Sequence, residues 1–483
     1  MALVTRVVEG VRWSLGIKMA VQLVSWAATI YIIRLLTPDD FAIVAMADMS
    51  VTLLLIVASF GMGQALLRID KHDKEITSKI FGFLIVVNSV LLVFILWQRK
   101  NIAELFGVEE LEAVIAVSAV LFVVSPFKVV YHALLSRELR FKDIEIIKLI
   151  SVVFQLVVNL SLAIAGYGYW ALIFGLVLRE VLLSVLYVKA VGWVFVPQFN
   201  FSRIGQLFRD GRDAFVNSVL WELIERVDRF LIVQIAGSKS LGIYAMAYNL
   251  AEKPVALVGN VIQQIGLASF SSVKDENEKV IRYLIKSSYI VSLIMAPVLF
   301  GISAITPELV PLLLGEQWVS AIVPMQILCI VQIFNILRLN TGSALYALGH
   351  GKRNIRHSAV ALAVFSLSWS VGLTMGINEG CMFFLAGYAL WFLWHIIDSG
   401  DCLNMVRTEY LYNVGMPVFS SVLMVLVILA VDEYALEELH LLVQLLIKII
   451  IGIVVYVGIT MLLFREKAMG ALSIFLRRKQ TEV

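Results

Sequence analysis

Apolar segments long enough to cross a bilayer recur along the whole chain, and they constrain its fold more than any motif does. A helical span needs about 18–25 mostly apolar residues, and we count about fourteen such segments. Hydrophobic residues make up 60% of the chain and charged residues 16%, well below the roughly 25% charged residues of soluble domains. The predicted spans centre on Val24, Leu54, Val87, Val120, Leu156, Val177, Trp221, Ala256, Leu293, Ile330, Val364, Leu390, Leu423 and Ile451. We therefore predict an all-α polytopic membrane protein.

Lysines and arginines fall mainly in every second loop, as the positive-inside rule requires. With a cytoplasmic N-terminus, the inside loops carry the basic groups around Arg68, Arg137, Arg209, Lys279 and Lys352. The outside loops are short and poor in basic residues. We expect both termini to be cytoplasmic, with a first span that is retained rather than cleaved.

Two segments of the chain resemble each other at an offset of 200 residues. The sequence from Ile243 to Ala247 repeats that from Ile43 to Ala47, and a short polar turn precedes each copy. Six predicted spans separate the copies, so both enter the membrane in the same direction and indicate a parallel duplication. The predicted layout is a six-helix lobe (1–191), a cytoplasmic interfacial linker (192–211), a second six-helix lobe (212–398), two appended helices (399–464) and a basic tail (465–483).

The stretch from Phe215 to Pro254 carries charges inside a segment that is otherwise apolar enough to span. Glu222, Glu225, Arg226 and Arg229 follow i, i+3, i+4, i+7 spacing and share one helix face, whereas Asp228 lies off it. Charges at membrane depth are costly and need partners or water. Two interpretations stay open: a polar cavity lined by this face, or pairing of Glu222 with Arg226 and of Glu225 with Arg229.

Other charges lie within predicted spans. Arg179 and Glu180 are adjacent, so one of them should point into the bundle, and we expect it to be Arg179. Arg338 lies near the end of its span. Asp48 is a candidate titrating carboxyl or a hydrogen-bonded structural one, and His395 with Asp398, one turn apart, is a candidate proton relay.

Several arginines lie within the predicted spans, and this favours an anionic substrate. Arg179, Arg226, Arg229 and Arg338 suit a phosphate or pyrophosphate head group, which guanidinium groups bind bidentately. The candidates for ion coupling are carboxylates: Glu222, Glu225, Asp228 and Asp48. The three cysteines and six histidines are scattered without ligand spacing, so we predict no metal site.

Two short motifs lie early in the chain, the run from Leu36 to Phe41 (LTPDDF) and Gly61-Met62-Gly63. The first is similar to the LTPxxFG signature of Wzx-type polysaccharide flippases of the MOP superfamily, and the second resembles the second span of that family. The run from Asp228 to Asn249 is similar to its seventh and eighth spans. Arg338 followed by Ala347-Leu348-Gly349 is similar to its tenth. The resemblance covers essentially the whole chain; Ala42, where the family usually has glycine, is a departure.

The resemblance implies a function that the residues alone do not give. It implies flipping of undecaprenyl-pyrophosphate-linked oligosaccharide repeat units across the bacterial inner membrane, by alternating access and without catalysis. A proton or sodium gradient is the implied driving force, and no cofactor is expected. The implied partners are the lipid-linked substrate, membrane lipid and the polysaccharide polymerase machinery, with no nucleic acid.

Four other functions are alternatives to repeat-unit flipping. A multidrug antiporter of the same superfamily needs an acidic, aromatic cavity for cationic amphiphiles, and the arginine excess opposes it. A peptidoglycan-precursor flippase has a closely similar substrate, and composition does not exclude it. A polyprenyl-dependent membrane glycosyltransferase needs a large sugar-binding loop, whereas Asp39 and Asp40 are better read as a helix N-cap. A non-transporting scaffold protein is the fourth alternative, but the buried charges would then have no role.

Overall fold

The computed structural model describes residues 25–59, 61–63, 66, 74–200, 204–272, 277–436, 439–465, 467 and 469. The regular elements in these ranges are helices, so the all-α prediction is confirmed. The start of the predicted first span and nearly all of the basic tail lie outside the described residues.

The helices are numbered in chain order. The first ones are α1 (residues 25–35), α2 (Pro38–Ser59), α3 (Lys74–Phe106), α4 (Glu110–Ser118), α5 (Val120–Arg137), α6 (Phe141–Ile164), α7 (Tyr169–Val191) and α8 (Ile204–Ser272). The remaining ones are α9 (Asn277–Leu313), α10 (Ile322–Ala347), α11 (Gly351–Gly372), α12 (Ile377–Leu403), α13 (Arg407–Val431) and α14 (Leu441–Leu463). A 3₁₀ turn at Glu316–Ala321 precedes α10, and a π turn at Asp432–Leu436 follows α13.

In the described residues, eleven helical stretches are long and apolar enough to cross a membrane. Three differences separate this number from the predicted fourteen. The segment centred on Val24 begins before the described residues. Helix α11 is not among the eleven and opens with several basic residues. The stretch Phe215–Ala256 is one apolar window where we predicted two spans. The count of fourteen therefore stays a prediction.

The chain divides into two compact units, Met1–Gly242 and Ile243–Val483. The sequence placed the boundary earlier, at 192–211. The difference lies in the first part of α8, which packs within the first unit. Phe230 meets Phe106 edge to face at 6.3 Å between ring centroids, and the backbone of Gly242 lies directly against that of Pro38. The layout of the predicted lobes remains a prediction.

The two copies of the repeated segment have the same burial at their last three positions, whereas Ile43 and Val44 are half-buried and Ile243 and Tyr244 are buried. Ala45, Met46 and Ala47 are buried in the first unit, and Ala245, Met246 and Ala247 are buried in the second. Small residues at matching positions allow close helix packing. The agreement is what a duplicated packing element would produce.

Helix α2 begins with a reciprocal cap. The backbone N–H of Thr37 donates to Asp40 Oδ2 at 2.8 Å, and the N–H of Asp40 donates to Thr37 Oγ1 at 3.3 Å. Oδ1 of the same carboxylate accepts the N–H of Tyr169 at 2.8 Å, at the start of α7. The predicted N-cap role of the acidic pair is thus performed by Asp40, which holds two helix ends.

Helix α8 is broken at Gly237, where the sequence predicted a turn between two spans. Gly237 has φ 84° and ψ 171°, a conformation that side-chain-bearing residues rarely adopt. The linker ahead of α8 is shorter than predicted, because α8 begins at Ile204. Within the linker, Phe195 is buried and its N–H donates to the Tyr131 hydroxyl at 3.0 Å.

A buried lysine ties together the end of the second unit. Lys448, in the middle of α14 and 1% exposed, donates to Glu308 Oε1 of α9 at 2.6 Å. It also contacts Asp432 Oδ1 at 2.7 Å, just after α13. Three helices therefore meet at one ammonium group, and none of these residues was a candidate in the sequence analysis.

Candidate functional site

The charged face of α8 forms an ion-pair cluster with α2 in the first unit. Arg226 pairs with Glu222 one turn earlier, as the sequence predicted, and also contacts Asp48 Oδ2 at 3.3 Å. Arg229 contacts the same oxygen at 3.2 Å. We call these four residues the Asp48 cluster. Two cations and two carboxylates are mutually compensated, which reduces the cost of holding charge at membrane depth.

The cluster is shielded unevenly. The side chains of Arg226 and Glu222 are 11% and 15% exposed, whereas that of Asp48 is 34% exposed. Thr52 donates to the other oxygen, Asp48 Oδ1, at 2.9 Å. Asp48 is therefore the member that a ligand or water can reach most easily, and it is held by three neighbours.

The two remaining coupling candidates have different positions. Glu225 is exposed and accepts a hydrogen bond from Trp221 Nε1 at 2.8 Å. Asp228 is buried, and its Oδ1 accepts the backbone N–H of Arg229 at 2.6 Å. The structure thus brings Asp48 and Glu222 together with the two arginines, whereas Glu225 bonds to Trp221 and Asp228 bonds to the backbone of α8.

A cavity of about 550 Å³ lies beside the cluster in the same unit. Its walls come from α2, α5, α6, α7 and α8 and from the segment between α2 and α3. Its lining residues are Ile56, Ser59, Gly61, Gly63, Lys128, Val129, His132, Lys148, Val152, Arg179, Glu180, Leu183, Tyr187, Phe215 and Ser218. This volume lies in the ordinary range for a small-ligand site.

The cavity carries an excess of positive charge. Lys128, Lys148 and Arg179 are cationic, His132 adds a titratable imidazole, and Glu180 is the carboxylate of the lining. Lys128 Nζ contacts Glu180 Oε2 at 2.7 Å, and Arg179 donates to Gln155 Oε1 at 3.1 Å. The half-exposed Lys128 and Arg179 side chains keep donors available to an anion.

The sequence predicted that one of the adjacent pair, Arg179, points into the bundle, whereas both Arg179 and Glu180 line the cavity. Glu180 is the buried one, at 9% side-chain exposure against 30% for Arg179. Adjacent residues do diverge on a helix, but the long arginine side chain folds back onto its neighbour, so both line the cavity. A buried carboxylate needs cationic partners, and Arg179 and Lys128 supply them.

The cavity and the Asp48 cluster share two helices. Ser218 precedes Glu222 by four residues on α8, and Ile56 follows Asp48 by eight residues on α2. At about 1.5 Å per residue, the cluster lies about 6–12 Å along these helices from the cavity wall. A ligand that fills the cavity would therefore approach the cluster.

Arg338 belongs to the second unit, on α10. Its guanidinium donates to Asn335 Oδ1 at 3.0 Å, one turn earlier on the same helix. The structure thus brings three of the four predicted arginines into the first unit, with Arg226 and Arg229 paired and Arg179 in the cavity. The assignment of all four to substrate binding stays a prediction.

Sequence reasoning missed two cationic lining residues. Lys128 is the lone formal charge between Val120 and Ser136, and His132 follows it by one turn. A single charge in the centre of an apolar span is itself a signal of function. Lys128 has no charged neighbour along its helix face in the sequence, so no pair or motif marks it.

Comparison with known families places the chain in a family of polysaccharide biosynthesis proteins. The sequence model of a family described as "Polysaccharide biosynthesis protein" matches residues 32–323, which is more than half of the chain. The match includes the cavity, the Asp48 cluster and α8.

Curated relatives extend the similarity over nearly the whole length. An "Uncharacterized membrane protein in cps region" of Klebsiella pneumoniae is 21% identical over 95% of both chains. The "Lipopolysaccharide biosynthesis protein WzxC" of Escherichia coli is 20% identical over 87% of this chain and 86% of its own. The "Succinoglycan biosynthesis transport protein ExoT" of Rhizobium meliloti is 23% identical over 65% of this chain and 64% of its own.

Solved structures establish the fold. The lipid II flippase MurJ in an inward closed conformation superposes with a TM-score of 0.74 at 14% identity, covering 93% of this chain and 99% of MurJ. An inward-facing multidrug resistance MATE family transporter of the MOP superfamily superposes with a TM-score of 0.61 at 14% identity, covering 78% of this chain and 93% of its own. At these identities the similarity concerns the fold alone.

Proposed function

The chain belongs to the polysaccharide biosynthesis protein family, and from this premise we propose that it flips lipid-linked oligosaccharide repeat units across the bacterial inner membrane. The substrate is a repeat unit on undecaprenyl pyrophosphate, and the movement is alternating access. The relatives from Escherichia coli and Rhizobium meliloti are proteins of lipopolysaccharide and succinoglycan biosynthesis, and the second of them is a transport protein.

The cationic cavity is the observation that carries this proposal. A pyrophosphate linkage presents several anionic oxygens, and lysine and arginine donors bind such oxygens through charge-assisted hydrogen bonds. Lys128, Lys148 and Arg179 supply these donors in a cavity of about 550 Å³. The volume suits the head-group region, while a long polyprenyl tail stays in lipid.

The Asp48 cluster gives the cavity a way to respond to its ligand. Asp48 Oδ2 occupies donors on Arg226 and Arg229 that a phosphate oxygen could use. A phosphate that advances from the cavity would compete with Asp48 for these donors. Ligand binding would thus separate Asp48 from its two cationic partners. Asp48 is therefore the first candidate for ion coupling, with Glu222 the second candidate in the same cluster.

The same charges argue against a carrier of cationic drugs. Three permanent cations against one carboxylate would repel an organic cation at the cavity. A peptidoglycan precursor also carries pyrophosphate, so it is the remaining alternative, and the choice of lipid-linked substrate in the assay must separate the two.

The test is flipping by the purified protein in proteoliposomes. Undecaprenyl-pyrophosphate oligosaccharide and peptidoglycan precursor are each placed in the membrane, and the fraction exposed to an external sugar-modifying reagent is followed with time. We expect flipping of the oligosaccharide and a loss of at least about tenfold in the Lys128→Gln/Arg179→Gln variant, because one lost charged contact is worth about 1.5–3 kcal/mol. Lys100→Gln, an exposed residue of α3, is the matched control.

The outcomes separate the alternatives. Flipping of the precursor but not of the oligosaccharide would assign the protein to peptidoglycan synthesis. No flipping of either lipid by a folded protein, or undiminished flipping by the double variant, would overturn the role of the cavity. In cells, deletion of the gene should leave complete repeat units on the cytoplasmic side.

A further inference from the structure

Two histidines and one aspartate form a buried array in the second unit, away from any residue that the proposed function uses. His357 of α11 lies between Asp398 and His395 of α12. Its Nε2 is 2.7 Å from Asp398 Oδ2, and its Nδ1 is 2.9 Å from His395 Nδ1. Both imidazoles are almost completely buried, at 3% and 1% exposure.

The hydrogen bonds fix the tautomers of the neutral array. An ionised carboxylate only accepts, so His357 Nε2 carries a hydrogen and donates it to Asp398. His357 Nδ1 is then an acceptor, and His395 Nδ1–H must donate to it. The consequence is that His395 Nε2 carries a bare lone pair. That atom is buried and has no hydrogen-bond partner among the described residues.

The buried lone pair on His395 Nε2 can accept a proton. Buried polar atoms almost always have a partner, so this nitrogen is an unusual open position. The ring itself is prepared for a positive charge, because Trp391 stacks on it with centroids 5.2 Å apart and planes at 22°. The face of an indole stabilises a cation. Trp391 Nε1 also donates to the backbone oxygen of His357 at 3.1 Å, which holds the array in place.

The charges around the array act in both directions. Asp398 favours a proton on the pair, and it is itself bound by Arg353 at 2.7 Å and by Arg356. Burial of the two rings is the strongest influence against their protonation, and the positive charges of Arg353 and Arg356 on α11 and of Arg338 on α10 add to it. The protonation of the imidazole pair therefore depends on the positions of one anion and three cations, and a movement of any of them would change it.

We propose that the His357–His395 pair is a one-proton binding site of the second unit, charged at His395 Nε2 and stabilised through His357 by Asp398. The proton adds to the lone pair of His395, no bond breaks, and the existing hydrogen bonds remain. The pair exchanges this proton during transport and so couples flipping to pH. The coupling of flipping to pH rests on the proposed function, whereas the existence of the proton site does not.

The deciding measurement is ¹⁵N nuclear magnetic resonance of histidine-labelled protein in lipid vesicles, acidified stepwise from roughly pH 8, where imidazoles are neutral, to the lowest pH at which the protein stays folded, because burial opposes the charging of both rings. The variant His395→Asn keeps an N–H donor near the position of Nδ1 but has no protonatable nitrogen. We expect one of the six histidines to show a buried, hydrogen-bonded imidazolium that appears on acidification and is lost in His395→Asn. His350→Gln, at the N-terminus of α11, is the control and should leave the signal unchanged.

The second measurement is the pH profile of flipping in proteoliposomes, where His395→Asn should flatten the profile and His350→Gln should not. A wild-type protein whose buried histidines remain neutral throughout the titration would overturn the site. So would a titrating signal that survives His395→Asn. An unchanged pH profile in a flipping-competent His395→Asn protein would overturn the coupling. Absence of flipping by the wild type would count against the proposed function alone, because the titration would still decide the site.

Discussion

Asp40 shows how much one carboxylate can hold in this protein. It caps α2 through Thr37 and, with its other oxygen, accepts the first N–H of α7. We predict that Asp40→Ala lowers the free energy of unfolding by about 1–2 kcal/mol, the usual cost of losing a capping side chain. The measurement is thermal unfolding in detergent, with Asp39→Ala, at an exposed neighbour, as the control. Equal shifts for the two variants would contradict the double-cap role.

Contacts between residues that are near in sequence could be predicted, and contacts between distant residues could not. The Glu222–Arg226 pair follows from helical spacing alone. The contacts of Arg226 and Arg229 with Asp48 cross 178 and 181 residues, so spacing gives no indication of them. The same limit hid the bond from Tyr169 to Asp40. His395 and Asp398 were singled out as a pair, but the residue between them, His357, lies 38 positions from His395.

At the scale of helices, Lys448 decides whether α14 stays attached to its neighbours. We predict that Lys448→Met destabilises the protein by about 3–5 kcal/mol, because it leaves the Glu308 carboxylate buried without its cation. The double variant Lys448→Met/Glu308→Gln should recover a large part of this loss. The measurement is the fraction folded during denaturant titration in mixed micelles.

A matched substitution tests whether the buried charge is the cause. Ile449→Met, next along α14 and exposed, changes volume without touching the ion pairs and should be close to neutral. A double variant no more stable than Lys448→Met would show that packing, and not the stranded carboxylate, accounts for the loss.

The positions of helices were predictable because apolar runs and turn residues alternate clearly. The break at Gly237 coincides with the predicted turn. Two helix-level features needed the structure. The helix α8 starts inside the predicted linker, at Ile204, since its amphipathic, charged beginning does not have the composition of a span. The first part of α8 belongs with the first unit, because its partners lie on α2 and α3, far upstream in the chain.

For the whole molecule, the Asp48 cluster should limit transport rather than only stability. We predict that Arg226→Gln/Arg229→Gln reduces flipping by at least about tenfold, since both proposed phosphate donors are lost. Asp48→Asn should instead leave substrate binding intact and reduce flipping, since the proposed ion-coupling carboxylate is gone. Proteoliposome flipping and ligand binding, measured on the same preparations, distinguish the two effects. Normal flipping by the arginine double variant would exclude these residues from the pathway.

The resemblance to polysaccharide flippases of the MOP superfamily, inferred from LTPDDF and the motifs of α8 and α10, is confirmed by the family match and by the fold of MurJ and MATE transporters. Short motifs sufficed because they lie at helix starts and close contacts, such as Gly242 against Pro38, which the fold requires. They carry no information about the ligand. Five helices that are separate in sequence come together to form the cavity, and a sequence pattern does not show which helices meet.

The triad at Lys448 also has a consequence for how the chain is made. Translation supplies Glu308 first, Asp432 much later and Lys448 last. Until α14 emerges, the insertion machinery must hold α9 with an acidic group that has not yet met its cation. A ribosome that stops before α14 therefore releases a product with stranded acids in the bilayer, which quality-control proteases that survey the membrane can recognise. The final helix acts as a checkpoint of completed synthesis.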